Sequence, residues 1–277
     1  MIKKNRNRDE YSFANINLLG KCNVNCYFCL GKDICNEFKD ENQLSTHFSK
    51  WKNFNVFIKK CKDNNINKLY LTGQTADGLQ YKYLKEIIEY LQIMNNFKVG
   101  VRTNGYLALD KMDEINMMSE EIGFSIHTLN PKINKKIMGT TKIPNWKKII
   151  PQCGDNVRIS IVLNKYNKNE FYDLVEYIAQ FKNVKYIQIR RVSTDTRYSL
   201  LKEDIYEFEN LFKEINLHFH KTGNYKLAQK YRIFGKDVIF WRTTETSANS
   251  LNYFTDGILS DEYFIIEGYL KNKEMIK

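Results

Sequence analysis

The stretch Ser12-Phe-Ala-Asn-Ile-Asn-Leu-Leu19, followed at once by Gly20-Lys-Cys22-Asn-Val-Asn-Cys26-Tyr-Phe-Cys29, decides how the rest of the chain reads. Ala14, Ile16 and Leu18 alternate with Asn15 and Asn17, which predicts a β-strand with one packed face and one polar face. Three thiols then fall in eight positions on the loop at the strand's C-terminal end. Side chains spaced by three and two residues on such a loop converge without strain and can wrap one corner of a metal cluster. Tetrahedral zinc wants a fourth protein ligand and a complete [4Fe–4S] site a fourth Cys, for which Cys35 and His47 are the nearest candidates. With neither, the fourth position stays open to a substrate or cofactor.

Around this stretch lies a chain of 277 residues, 43% hydrophobic and 14% aromatic, enough for a substantial core. Its 43 Lys+Arg outnumber 32 Asp+Glu by 11. Only nine of those cations are Arg, and Lys and Asn dominate together, as in proteins translated from AT-rich coding sequence. The charge is therefore in good part compositional, and nucleic acid is a weaker alternative as partner. No apolar run has the length of a signal h-region or a membrane span, so the protein is read as cytoplasmic, with no membrane partner. Six cysteines are too few for a disulfide scaffold, and their grouping points to a metal or redox site.

Beyond the first strand, β-like runs alternate with helical periodicity. Strands are expected at Lys68 to Thr72, Lys98 to Thr103, Gly123 to His127, Asn156 to Leu163 and Lys185 to Arg190. Helices are expected around Trp51 to Cys61, Leu84 to Leu91, Met112 to Met118, Phe171 to Phe181 and Lys202 to Ile215. Right-handed crossovers wind such units into a parallel sheet or an incomplete barrel. One strand face is polar throughout: Asn15 and Asn17, Ser125 and His127, Arg158 and Ser160, Gln188 and Arg190. That parity implies an open, ligand-filled interior; the alternative is a one-sided sheet whose polar face meets water. Residues 217–277 break the rhythm and read as a short β-rich cap on a core of residues 1–216.

The three cysteines at this place resemble the radical S-adenosylmethionine enzyme superfamily, whose hallmark is Cys-x3-Cys-x2-Cys after the first strand of a partial (β/α)6 barrel. The resemblance covers Ser12 to Arg190. Leu71-Thr-Gly73-Gln74-Thr-Ala-Asp77 stands where the family carries Gly-Gly-Glu, and Arg102-Thr103-Asn104-Gly105 follows strand three. Ser125-Ile-His127-Thr-Leu-Asn-Pro and Asn134-Lys-Lys-Ile-Met-Gly139 follow strand four, and Val157 to Asn164 occupies the fifth-strand position. The resemblance implies an α/β fold, a partial (β/α)6 parallel barrel, and a [4Fe–4S] cluster on Cys22, Cys26 and Cys29 whose fourth iron is chelated by S-adenosylmethionine. It implies that Phe28 lies against the adenine and that Gly73 and Gln74 meet the methionine ammonium. Thr103, Asn104 and Ser125 would reach the ribose or carboxylate, and Asn164 the sugar. Thr72, Gln74 and Thr75 depart from the family pattern; Gln74 accepts a hydrogen bond but brings no charge, which weakens that contact. One electron, from a donor such as flavodoxin or ferredoxin, would release a 5′-deoxyadenosyl radical that removes a substrate hydrogen.

After Arg190 there is no Cys, so a second cluster is not expected. Only 21 residues precede Cys22, which leaves no room for an N-terminal leader-binding domain and makes a peptide substrate less expected. Arg suits a phosphate or carboxylate. The expected substrate is a small, nucleotide-like anion clamped by Arg190, with help from Arg158 or Arg242. His127 is the candidate acid or base, and Tyr253, with Glu245, Asn249 and Asn252, belongs to a polar tail segment that could close over the pocket. Peptide, protein or RNA substrates for the same chemistry are the alternative, and a nucleic-acid-binding protein with a structural metal is a third reading from another class.

Overall fold

A computed structural model describes residues 11–33, 41–73, 75–194, 196–225, 228–242 and 249–261. Six strands follow one another through the sheet: β1 (Phe13–Leu18), β2 (Lys68–Gly73), β3 (Lys98–Thr103), β4 (Ile122–Ser125), β5 (Val157–Val162) and β6 (Val184–Arg190). Each pairs in parallel with the next. Helices α1 (Phe54–Asp63), α2 (Leu84–Glu89), α3 (Met112–Met117) and α6 (Phe171–Ala179) cross between strands, and α7 (Tyr198–His218) follows β6. The connection from β4 to β5 carries two helices, α4 (Pro131–Met138) and α5 (Trp146–Gln152), where the sequence had offered only motif residues. Asn130 caps α4 by accepting from Lys132 N, with Pro131 opening the helix and Gly139 ending it in the left-handed region at φ 78°.

The remaining strands are β7 (Lys221–Tyr225), β8 (Ala228–Ile233), β9 (Lys236–Trp241), β10 (Ser250–Phe254) and β11 (Leu259–Ser260). They extend both ends of the six-strand series, giving the order β11-β10-β1-β2-β3-β4-β5-β6-β9-β8-β7. β9 runs parallel beside β6 and β10 parallel beside β1. Among the described residues β7 and β11 do not meet, so the sheet is an open barrel.

The packed side follows from the alternation. Ile16, Leu71 and Val101 stand in one row across β1 to β3, and Phe124, Ile159, Ile187 and Val238 in another across β4 to β9. All seven are buried in the main core. Helix α1 supplies Phe54, Phe57, Ile58 and Cys61, which close over Trp51 and Tyr253. Phe57 is 0% exposed, so Phe57→Ala leaves a cavity under β10 and is expected to cost about 3–5 kcal/mol of unfolding free energy, measurable by urea denaturation.

Candidate active site

The opposite face of the strands encloses a cavity of about 590 Å³. It runs from the cysteine loop at the C-terminal strand ends to Phe13, Lys68 and Glu121 at the N-terminal ends. Arg102, Gly123, Arg158 and Tyr186 stand side by side in register on β3 to β6. Gly123 is glycine for a spatial reason: a Cβ there would lie 2.5 Å from Arg158 Nη2. The Arg158 guanidinium occupies that space and donates to Glu121 Oε1 at 2.7 Å and Gln188 Oε1 at 2.9 Å, while Tyr186 Oη donates to Glu121 Oε2 at 2.7 Å. Burial alone would raise the Glu121 carboxyl; the Arg158 charge and the Tyr186 hydroxyl overcome it and hold the carboxyl below its usual range. Arg102 stacks over Phe13 and Tyr70, 5.1 and 4.7 Å from the ring centroids. Among the described residues five cations line the cavity, Lys68, Arg102, Arg158, Arg190 and Arg191, against the two carboxylates Asp77 and Glu121; Lys68 is also paired with Glu120 and Arg191 with Glu209.

Cys22, Cys26 and Cys29 all line this cavity, beside Phe28, Gly73, Thr103, Asn104, Ser125, His127 and Arg190. Their loop is held from several sides. Asn104 Nδ2 donates to Asn23 Oδ1 at 2.7 Å and lies 3.7 Å from Cys22 Sγ. Arg197 donates to the carbonyls of Tyr27 at 2.8 Å and Cys29 at 2.7 Å, and its Nε to Asp33. Tyr27 Oη donates to the buried Asp204 at 2.7 Å. Burial pushes the Cys22 thiol up to about 11 and raises Cys26 and Cys29 as well, so deprotonated sulfur here needs a cationic centre beside it.

Among the described residues no three Cys, His, Asp or Glu side chains converge on a single ion. Three thiols on one wall of a cavity suit a cluster in which each thiolate takes its own iron. His47 is not among the residues that line the cavity with the three cysteines; its Nδ1 is 2.8 Å from Ser49 Oγ and its ring stacks on Phe48. Cys35 lies outside the described residues.

The other expected site residues divide. A Cβ on Gly73 would collide with the Ala76 carbonyl, so the loop after β2 requires glycine there; Gln74 lies outside the described residues. Thr103 Oγ1 donates to Asp77 Oδ1, and Asn104 N–H to Asp77 Oδ2, both at 2.7 Å. His127 is 4% exposed, and its Nδ1 accepts from Val162 N–H at 3.2 Å, which leaves the neutral ring's proton on Nε2. Phe28 meets the His127 ring edge-on, 5.1 Å between centroids. Two expectations are corrected. Asn164 is absent from the cavity wall: its Nδ2 donates to Val162 O and its Oδ1 accepts from Tyr166 N, so the side chain is spent on the turn after β5. Tyr253 has the opposite parity to Ser250 and Asn252, packs against Phe54 and Phe57, and donates to Lys52 O at 2.8 Å. Arg242 serves Glu209, which it shares with Arg191, and Glu245 is outside the described residues.

Three contributors escaped the sequence reading. Asp77 braces the loops after β2 and β3, and its spacing to Gln80 forms a capping box, a legible signal. Tyr186 shares the parity of Gln188 and Arg190. Arg197 lies beyond the last strand of the series, and its carbonyl partners are a matter of tertiary position.

Fold and site together define an open α/β barrel built to carry a cysteine-bound metallocofactor at the mouth of a cationic cavity. Residues 16–178, more than half of the chain, match the model of the Radical SAM superfamily, and the chain belongs to that family. Its cofactors are the [4Fe–4S] cluster and S-adenosylmethionine. The GTP 3′,8-cyclase of Clostridium perfringens strain 13 is 28% identical over 180 residues, covering 62% of this chain and 53% of that protein. A probable GTP 3′,8-cyclase of Methanococcus aeolicus is 24% identical over 259 residues, 88% of this chain and 81% of that one. The chain spans little more than half the length of the first curated relatives it matches. Among solved structures, Streptococcus suis SuiB bound to S-adenosylmethionine superposes with a TM-score of 0.62 at 14% identity, over 91% of this chain and 60% of SuiB. Escherichia coli coproporphyrinogen III oxidase gives 0.51 at 9% identity, over 90% and 64%. Both likenesses concern the fold. No helix among the described residues is long and apolar enough to cross a membrane.

Two outcomes follow from this geometry. Burial, with the Arg190 charge beside it, lowers His127 from 6.5 to about 4. The folded state therefore binds fewer protons than the unfolded state between those values, and stability is full above pH 6.5 and lost as pH falls through 4. The loss of unfolding free energy between pH 7 and pH 4 is expected to be smaller by about 3 kcal/mol in His127→Gln than in the parent protein, read by denaturant titration at both pH values. Arg197→Met removes two carbonyl contacts and the Asp33 partner; the expected result is iron loss to a chelator at least about tenfold faster than in the parent.

Proposed function

We propose that this chain is a radical enzyme acting on a small anionic substrate of nucleotide type, held inside the barrel beneath the cysteine loop. The observation that carries the reading is the cavity's cationic excess, five Lys and Arg side chains against two carboxylates, on strands whose apolar faces all turn outward. Relatives named GTP 3′,8-cyclase support a nucleotide, and the about 590 Å³ volume falls within the range of small-molecule sites.

The bound cluster and S-adenosylmethionine supply a 5′-deoxyadenosyl radical when an electron arrives; this chain's own residues do the rest. Cys22, Cys26 and Cys29 would hold the cluster, and Phe28, Gly73, Thr103, Asn104 and Ser125 line the adjoining wall where S-adenosylmethionine would lie. Arg190 and Arg191 line the cavity near the strand ends, and Arg158 stands four residues deeper than the level of Arg190, paired with Glu121. His127, neutral at physiological pH, stands beside Arg190 with Nε2–H as its remaining donor. The enclosing strands exclude water from the hydrogen to be removed and fix its approach. An electron donor of flavodoxin or ferredoxin type completes the set of partners.

Reconstituted anaerobically, the protein is expected to be brown, carry about four irons, and release 5′-deoxyadenosine on reduction with S-adenosylmethionine. Colourless protein with one zinc ends this reading. With GTP as the first substrate tried, Arg190→Ala is expected to lower kcat and raise KM; unchanged kinetics remove Arg190 from the substrate clamp.

A further inference from the structure

From Ile122 to Gly154 the chain contains six lysines and no acidic residue. This stretch forms β4, α4 and α5, and α4 lies against the cysteine loop. Asn25 N–H donates to Met138 O at 2.9 Å and Tyr27 N–H to Ile137 O at 3.0 Å, so the two bonds straddle Cys26. Gly139 fits the loop so closely that a Cβ there would lie 3.2 Å from Asn25 Cβ. Helix α4 buries Ile137 and Met138 in the small core beneath the loop, together with Phe28. An amphipathic helix needs a polar outer face, but glutamate serves that purpose as well as lysine. Here the outer face is lysine alone.

Lys132, Lys135 and Lys136 on α4, Lys142 beyond it, and Lys21, Asn23 and Asn25 on the cysteine loop are all exposed, and the loop meets the end of α4 at Asn25, Met138 and Gly139. Among the described residues no carboxylate pairs with any of these five lysines. Lys135 Nζ reaches the Gly139 carbonyl at 3.0 Å, and Lys136 Nζ stands over the Tyr166 ring at 5.4 Å. The Tyr166 ring in turn meets Tyr27 edge-on, 5.5 Å between centroids. The helix that carries the lysines thus touches the loop on both sides of Cys26.

We propose that this face docks an acidic one-electron carrier protein of the flavodoxin or ferredoxin type, delivering its electron to the cluster on Cys22, Cys26 and Cys29. The proposal rests on the radical-enzyme reading, and the step is a bare electron transfer: the reduced carrier loses one electron and the cluster gains one. Lysines around the point of closest approach steer an acidic carrier to it and raise the encounter rate, an effect that salt screens. The placement beside the loop, rather than the net charge of +11, is what selects this partner over others.

The test compares two reductants on the reconstituted holoenzyme, following cluster bleaching and 5′-deoxyadenosine release in stopped flow. Reduced flavodoxin, with reduced ferredoxin in parallel, is the protein donor, and dithionite is the small donor that needs no docking. In the triple variant Lys132→Glu, Lys135→Glu, Lys136→Glu the rate with the preferred carrier is expected to fall at least about tenfold at low salt, while the dithionite rate stays at the parent value. The parent's carrier rate is expected to fall with ionic strength. The Lys→Gln triple, milder at a helix C-terminus, guards against a folding defect and is expected to give a smaller loss of the same kind. An unchanged carrier rate in both triples, a salt-independent parent rate, or no reduction of the parent by either carrier overturns the proposal. Lost retention on RNA with unchanged electron transfer overturns it too, assigning the face to nucleic acid. Failure of the parent to form 5′-deoxyadenosine even with dithionite is a different result and strikes the radical-enzyme reading itself.

Discussion

A guanidinium enclosed by a β-barrel has to be neutralised where it stands, because removing an ion from water costs several kcal/mol even after the protein relaxes. Arg158 is 5% exposed and satisfies this through Glu121 and Gln188, with Tyr186 completing the carboxylate's partners. The arrangement needs the empty space of Gly123 on β4 between Arg102 and Arg158. One ion pair therefore ties β4, β5 and β6 together on their inner faces and occupies the position that an aliphatic layer fills in a closed barrel. Removing either partner would strand the other charge, at about 3–5 kcal/mol. The hollow, cationic interior on which the proposed chemistry depends is a consequence of this bargain between a charged floor and an open sheet.

Much of this was legible in the chain. Alternation along β1, β5 and β6 gave both strand positions and facing, because a period of two leaves a side chain only one of two faces to choose. The cysteine loop was legible because three thiols after a strand have few structural uses. Helices α4 and α5 were harder to see: α4 has only Ile133, Ile137 and Met138 among polar residues and α5 contains Pro151, and the capping by Asn130 and Asn145 was the available signal. Tyr253 was misplaced because a tyrosine in a hydroxyl-rich stretch looks like a ligand contact, yet its parity with Leu251 sends it under α1. Asn164 failed for another reason. An Asn just past a strand end satisfies the turn's own backbone first, since those hydrogen bonds are local and available before any ligand arrives.

The cysteine loop is not shaped by its own sequence. Asn104 after β3 holds its first part, main-chain bonds from α4 hold its middle, and Arg197 with Asp204 holds its end from the segment after β6. Asp77, from the loop after β2, holds Asn104 in turn. Four separate strand ends must be in place before the three thiols are, which couples loop order to the assembly of the sheet from β2 to β6. Such contacts join residues up to about 177 positions apart, as in Tyr27 to Asp204, and no local reading of spacing can supply them.

Depth is the last consequence of the register. Arg158 stands opposite Tyr186 and Val162 opposite Arg190, so the two cationic levels on β5 and β6 are separated by four residues of strand, about 13 Å. Inorganic phosphate can touch one level but not both. The upper level lies beside the thiols, where a methionine carboxylate would also seek a cation, whereas the lower level is reserved to whatever reaches the floor. A ligand of the proposed nucleotide type would bridge the two and be held at both ends. Its middle then has little freedom left to turn, and it is this loss of freedom, prepaid by the charges, that would present one carbon rather than several to a reactive radical.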